Sequence, residues 1–271
     1  MNMEADPMPA KYELIADALR QQIHAGELSP GDRVPGEAAL TEQYRVSVPT
    51  VRQALAVLRH EGLIEAKHGV GTYVRAPRIK VRRTDERHQW EKNRVREPES
   101  VRRSTGATEY DTGLSMPDLS FSARYSTSEA TDDLADAFAV PAGTKLLQRD
   151  YRTQYRSEDS PFSLVRSYLI YEVAEANPDL LDGDNEPWPG GTQHQLSTIG
   201  IELASITEEV HARMPTQAEA EELGIPTTGV AIFDLRRIAI DVNGRVVEVA
   251  DIVLPGDRSE LVYTTKLSRW S

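Results

Sequence analysis

The sequence contains no cysteine. Disulfides, thiolate metal sites and thiol catalysis are therefore excluded, and a reducing compartment is the consistent setting. Long apolar runs are also missing. None approaches the ~20 residues that span a bilayer, and the short polar stretch 1–9 holds no signal-peptide core. A soluble, cytoplasmic protein with no membrane contact is expected. The six histidines show no metal-ligand spacing, and no nucleotide-binding glycine loop, nucleophile elbow or Cys-His arrangement occurs. No metal, cofactor or catalytic residue is assigned, and the chain is read as a non-enzyme.

At 271 residues the chain is comfortable for two domains, each able to bury its own core. The net charge of -12 opposes contact with a polyanion. That charge is segregated, however. Residues 11–83 hold 12 Lys and Arg against 8 Asp and Glu, a net of +4, whereas residues 84–271 hold 19 against 33, a net of -14. A mildly basic module is joined to an acidic remainder, which is expected to stay away from phosphates.

Within the basic module, Leu14, Ile15, Ala18, Leu19 and Ile23 recur at spacings of three and four, so residues 12–25 form an amphipathic helix that Gly26 ends. Turn residues Ser29-Pro30-Gly31-Asp32 follow, and Pro35-Gly36-Glu37 leads into a second short helix through Leu40 and Tyr44. Arg45-Val46 makes the bend. Ser47 is placed to cap a third helix, with Pro49 in its first turn and Val51, Leu55 and Leu58 as its buried stripe. Arg52, Gln53 and Arg59 are left facing outward. After Gly62 the periodicity becomes that of strands around a glycine-rich tip, Lys67-His68-Gly69-Val70-Gly71. Three helices and a wing make a winged helix-turn-helix. Its third helix offers Arg52 and Gln53, whose donors and acceptors match guanine and adenine edges in a major groove.

Residues 77–116 are charged and aperiodic and read as a linker between domains at 1–76 and 117–271. The remaining half alternates strands and helices. Strands are expected near 119–125, 145–155, 162–170 and 204–214, with helices over 128–138, 192–199 and 216–223. A long hairpin over 230–254 turns at Asn243-Gly244, and a last strand covers 261–267. Phe138-Ala139-Val140-Pro141 and Leu223-Gly224-Ile225-Pro226 each end a helix that is followed by a strand hairpin, a faint internal repeat. The fold class is therefore α+β, an antiparallel sheet backed by helices with pseudo-twofold character and room for a pocket.

The first half resembles the GntR family of bacterial transcription regulators. The resemblance is carried by Tyr12-Glu13-Leu14-Ile15-Ala16, Pro30-Gly31, Pro35-Gly36-Glu37, Val51-Arg52-Gln53-Ala54-Leu55, Glu61-Gly62-Leu63-Ile64 and Gly69-Val70-Gly71-Thr72. The second half is similar to the effector-binding UTRA domain of the HutC subfamily, whose fold resembles chorismate lyase, through Arg166-Ser167-Tyr168-Leu169, Thr207 to Thr216, Gly244-Arg245-Val246-Val247-Glu248-Val249 and Asp257-Arg258. The resemblance implies that Ser47 and Thr50 meet phosphate or base edges, that Arg52 meets guanine, and that His68 and Gly69 approach the minor groove. The family commonly has arginine where this chain has Ala38 and Val48, so the operator is expected to differ from the common family site. Sugar-phosphate-sensing relatives often carry Glu and Tyr where Val165 and Leu254 stand, which points to a less polar pocket.

Each signal has a plainer reading. Arg52 alone would be a solvated charge, and it gains meaning only from its helix and wing. Arg166 and Glu248 lie on expected strands among apolar neighbours, where an isolated charge is costly. They either form a mutual or nearby structural ion pair or line an effector pocket, with Arg166 binding an anionic group and Glu248 accepting from hydroxyls or amines. Arg149, Arg152 and Tyr168 are further effector-binding candidates, while Arg213 reads as structural. The combined expectation is a homodimeric regulator, a repressor that a small-molecule effector releases from a palindromic double-stranded DNA operator. Two alternatives remain open on the residues alone: an enzyme with a lyase-like C-terminal domain, and a ligand-independent repressor, for example of plasmid transfer, whose C-terminal half only dimerises.

Overall fold

The computed structural model describes residues 10–67, 69–76 and 78–269. It forms two compact units, one built from the chain up to Arg78 together with Ile225–Val230, the other from Ile79–Gly224 and Ala231–Ser271. In the first, α1 (Lys11–His24), α2 (Glu37–Tyr44) and α3 (Val48–His60) precede an antiparallel hairpin of β1 (Ile64–Lys67) and β2 (Gly71–Val74). The apolar stripes of the sequence are what join them. Ile15 and Leu19, Leu40, and Val51, Leu55 and Leu58 close one core with Ile64 and Val74 of the wing. Arg45, in the left-handed region at φ 51°, turns the chain from α2 into α3. Ser47 stands at the N-cap of α3 with Pro49 in the first turn, and its hydroxyl pairs with that of Thr50 at 2.9 Å rather than with the helix backbone.

The second unit is α+β. Residues 77–116 are not the linker that their composition suggests, because they hold β3 (Val81–Thr84), α4 (Glu86–Arg94), α5 (Glu99–Ser104) and α6 (Ala107–Thr112). The cause is long-range pairing, which composition does not display. Val81 packs with Leu119 and Phe162, and the buried Arg87 donates to Asp111 at 2.7 Å. Several charges of what reads as a solvated run, Arg83, Arg87 and Asp111 among them, are buried in ion pairs, while others such as Arg82, Glu86 and Glu97 stay exposed.

The main sheet follows: β4 (Leu119–Glu129), α7 (Asp132–Phe138), β5 (Lys145–Tyr155), β6 (Leu164–Ile170), α8 (Tyr171–Ala174), α9 (Gly191–Ser197), β7 (Leu203–Arg213), α10 (Gln217–Leu223), β8 (Ile232–Asp241), β9 (Val246–Pro255) and β10 (Ser259–Val262). Residues 128–129 belong to β4 rather than to the helix after it, and the last strand is β10, upstream of the expected 261–267. It pairs in parallel with β3, with Val81 opposite Ser259.

Six of the strands form one antiparallel sheet in the order β4-β5-β6-β9-β8-β7. The order is symmetric about the central β6–β9 pair, since each half is built as strand, helix, strand, strand. The faint repeat in the sequence is this duplication. Leu134 and Phe138 of α7 pack on Leu146, Tyr168 and Val249, one face of the sheet, while Leu196 of α9 packs with Leu147, Leu169 and Val247 on the other.

The two matching helices begin alike, with Thr131 and Thr216 each accepting a backbone N–H of the first turn. Thr216 is reinforced by Glu219, whose carboxylate accepts from the Thr216 N–H at 2.8 Å and its hydroxyl at 3.0 Å. Thr216→Ala is expected to lower the stability of this unit by about 1 kcal/mol, through loss of the cap. A denaturant titration reads this directly, and an unchanged midpoint would mean that water replaces the hydroxyl without penalty.

Candidate functional site

Arg52 and Gln53 are both exposed on α3. Arg52 is held by Glu37, the first residue of α2, whose two oxygens lie 3.0 and 3.1 Å from Nε. This pair leaves the guanidinium at the surface, with its side chain 67% exposed, while fixing where it points. Sequence reasoning missed Glu37 as a partner, although an acidic residue in the first turn of a neighbouring helix was visible. Gly69 is exposed at φ 71°, a backbone setting that glycine takes without strain. His68, expected beside it at the wing tip, lies outside the described residues. Lys67, exposed with its ammonium 5.1 Å from the centre of the Tyr73 ring, adds a wing cation that sequence reasoning did not single out.

A cavity of about 660 Å³ lies in the second unit. That volume suits a small organic molecule. Its floor is the sheet face carrying Tyr151, Val165, Ile252 and Leu254, and its other walls come from β3, α4 to α6 and the 186–192 turn. Arg87, Trp90, Glu91 and Arg94 all line it. They follow the spacing i, i+3, i+4, i+7, which places them on one face of α4. That spacing was the signal available in the sequence, hidden by the polarity of the residues that carry it. Trp90 stacks on Tyr110 with ring centres 4.5 Å apart, and the Arg94 guanidinium lies 4.6 Å from the centre of the Trp90 ring.

Beside the cavity, on the same face of the sheet as its floor, lies a buried polar network. Glu248 accepts from Arg149 at 2.9 Å, from Ser167 at 2.6 Å and, through its other oxygen, from Arg237 at 3.0 Å. Arg149 also donates to Gln195 at 2.6 Å, and Gln195 and Tyr151 both donate to Glu186 at 3.0 Å. Burial raises the Glu248 carboxyl, but the charges of Arg237 and Arg149 outweigh it and hold it below its ordinary value. Burial pushes the Tyr151 phenol well above its ordinary value, so it stays a neutral donor.

A second cluster adjoins the first. Arg83 donates to Glu208 at 2.8 Å, and His88 lies 3.2 Å from Glu208 and 3.8 Å from Glu91. Burial pushes Arg83 down to about 10, and the nearby charge of Arg87 acts in the same direction. Burial raises Glu208 and Glu91, but His88 and the arginines outweigh it and bring both to about 2.

The five effector-binding candidates from the sequence separate. Arg149 and Glu248 are brought together, both nearly fully buried, as an ion pair on the floor's face of the sheet, outside the cavity lining. Arg166, Arg152 and Tyr168 do not line the cavity. Side chains alternate across a strand, and the register sets Asp150 opposite Arg166 and Gln148 opposite Tyr168, on the face of α7. Arg166 pairs with Asp150 at 2.7 Å, Arg152 pairs with Glu222, and Tyr168 is buried in the apolar contact with α7. The nearby-ion-pair reading of Arg166 is thus the one its surroundings match. Arg213 joins Glu219 and Asp234 as a surface pair. Val165 and Leu254 do line the cavity.

A winged three-helix reader and a separate sheet domain enclosing a cavity define a DNA-binding regulator with a ligand-sized chamber. Residues 11–74 match the family of bacterial regulatory proteins described as the gntR family, and residues 123–260 match the UTRA domain. The chain is 30% identical over 268 residues to an uncharacterized HTH-type transcriptional regulator of Streptomyces coelicolor, covering 96% of this chain and 94% of that one. It is 27% identical over 264 residues to the HTH-type transcriptional repressor NagR of Bacillus subtilis, covering 97% of each. The crystal structure of PhnF from Mycobacterium smegmatis shares the fold, with a TM-score of 0.51 at 21% identity over 94% of this chain and all of that one. The chain belongs to the GntR family of transcription regulators and carries a UTRA domain behind its DNA reader. Among the described residues no helix is long and apolar enough to cross a membrane.

Proposed function

We propose that this protein is a homodimeric repressor whose two reading helices hold a palindromic operator and release it when a small molecule enters the second-unit cavity. The observation that carries the reading is the makeup of the cavity wall. Its β3 and α4 side chains, Val81, Arg83, Arg87 and Trp90, begin three residues after the first unit ends at Arg78. A ligand that shifts β3 or α4 therefore acts on the stretch of chain that leads directly into the reader. Control requires the ligand to bind the DNA-incompetent arrangement more tightly than the competent one. The relatives named repressors, NagR among them, support the sign of regulation.

Selection of bound genomic fragments with the full-length protein supplies the operator, and the genes beside it supply metabolites to titrate against the complex. Val165→Glu, which places a charge on the cavity floor, is expected to keep operator affinity and lose release. Release of the variant at the wild-type metabolite concentration would remove the cavity from the mechanism. Operator binding that no metabolite alters, in a protein still dimeric, would favour a domain that only dimerises.

A further inference from the structure

Polarity changes along the length of the cavity, and two separate elements show the same gradient. On β9, Leu254 and Ile252 line the floor at one end, and the strand runs from there to Ala250, which lies opposite Arg237 of β8. Ile252 and Ala250 are two residues apart, roughly 7 Å along a strand. On β3, Val81 packs into the apolar end with Leu119 and Phe162, and Arg83 reaches the charged end, where it meets Glu208. Glu208 in turn stands opposite Arg237 in the register. The chamber thus has an apolar floor at one end and converging guanidinium groups at the other.

Taken over its whole length, the cavity lining carries more guanidinium groups than carboxylates. The lining holds seven arginines against four carboxylates, in a part of the chain that is strongly acidic overall. Arg83, Arg87 and Arg237 each have a carboxylate partner, at 2.8, 2.7 and 3.0 Å. They remain close enough that the charges of Arg87 and Arg237, after burial itself, depress Arg83. Among the described residues Arg94 and Arg102 add positive charge without an acidic partner within ion-pair distance, and their bonds run to backbone carbonyls, such as that of Thr105 for Arg94 and that of Pro189 for Arg102. A crowded set of guanidiniums facing a chamber favours an anion, and the planar fork of each favours an oxyanion. An anion alone would leave the apolar end wet.

We infer that the ligand is an amphipathic organic acid, whose anionic head meets the Arg83, Arg87 and Arg237 end and whose apolar body lies on Val165, Ile252 and Leu254. The inference rests on the reading of this cavity as the effector site. It keeps the anionic group and the less polar pocket expected from the sequence and changes the residues that would bind the anion. Arg166, for which the sequence left an ion pair or an anion site open, faces the other side of the sheet.

The main test uses ligand pairs on the full-length protein, so that its outcome does not depend on the folding of a variant. Melting temperature and calorimetric affinity are measured with 4-phenylbutyrate, with 4-phenylbutanol to delete the charge, and with acetate to delete the body. Glucose 6-phosphate and inorganic phosphate serve as hydrophilic anions. The expected result is stabilisation by 4-phenylbutyrate, with affinity at least ~10-fold above both its alcohol and acetate, and falling as salt is raised. Leu254→Asn is expected to weaken 4-phenylbutyrate by about 10-fold, in keeping with the loss of one buried aliphatic side chain. Equal binding of the alcohol, preference for glucose 6-phosphate or phosphate, or no binding of 4-phenylbutyrate each overturns the ligand class. Failure of effector control itself is read separately, from operator release in Val165→Glu.

Discussion

Glu248→Ala is expected to cost about 3–5 kcal/mol, the largest effect of any single change proposed for this molecule. The carboxylate is shared by two buried guanidiniums, Arg149 and Arg237, and by the Ser167 hydroxyl. Removing it leaves two cations in a place where neither has water to turn to. For a unit of this size the loss corresponds to a fall in Tm of roughly 6–20 °C. Calorimetry of the variant checks this, and a loss below ~1 kcal/mol would show that the network is solvated after all. Replacing Arg149 and Glu248 together by apolar residues of similar volume is expected to recover part of the loss, because the desolvation cost then disappears with the charges.

The same network sets a pH dependence. Glu248 is held below its ordinary value of 4.5, and Glu208 and Glu91 are held at about 2. Carboxyls depressed on folding bind protons more readily when unfolded. Their contribution is therefore complete above the unfolded value near 4.5 and is lost as pH falls towards 2. Acid is expected to unfold the second unit over that window. In Glu248→Ala the Glu248 share of the loss should be missing.

Arg52→Ala carries the second large effect, on DNA rather than on stability. Loss of the guanidinium that we propose reads guanine is expected to weaken specific binding by about 1–3 kcal/mol, roughly 5- to 150-fold, and to relax base preference at one position of each half-site. Since Arg52 is exposed and, among the described residues, pairs with Glu37 alone, the fold should survive intact. A mobility-shift titration with the selected operator and a scrambled duplex reads both parts. Unchanged operator affinity would take Arg52 out of the reading surface. A fall shared equally by both duplexes would make it a phosphate contact instead.

The reader was largely legible in its sequence because its core residues are local. Ile15, Leu19, Val51, Leu55 and Leu58 recur at helical spacing, and Gly26 and Pro49 mark ends that the helices respect. The strands of the second unit were legible for a similar reason, since Asn243-Gly244 and the two helix-ending segments punctuate them. The cavity was not. Half its wall lies in residues whose partners are far away in the chain: Arg83 finds Glu208, and Arg87 finds Asp111. A polar helix such as α4 gives no apolar stripe to read. Arg166 was misplaced for a simpler reason, since strand parity depends on register and a one-residue shift exchanges the two faces.

The parallel pairing of β3 with β10 decides how this protein can be cut. A fragment limited to the UTRA match, residues 123–260, would keep most of the six-stranded sheet, but it would begin inside β4, without β3 and α4 to α6, and would end inside β10. The strand left behind would expose its hydrogen-bonding edge, an invitation to intermolecular association, and the cavity would lose Arg83, Arg87 and Trp90 together. A ligand screen on such a fragment would report the chemistry of a half-open dish. The piece to test begins at Ile79 and runs past Val262.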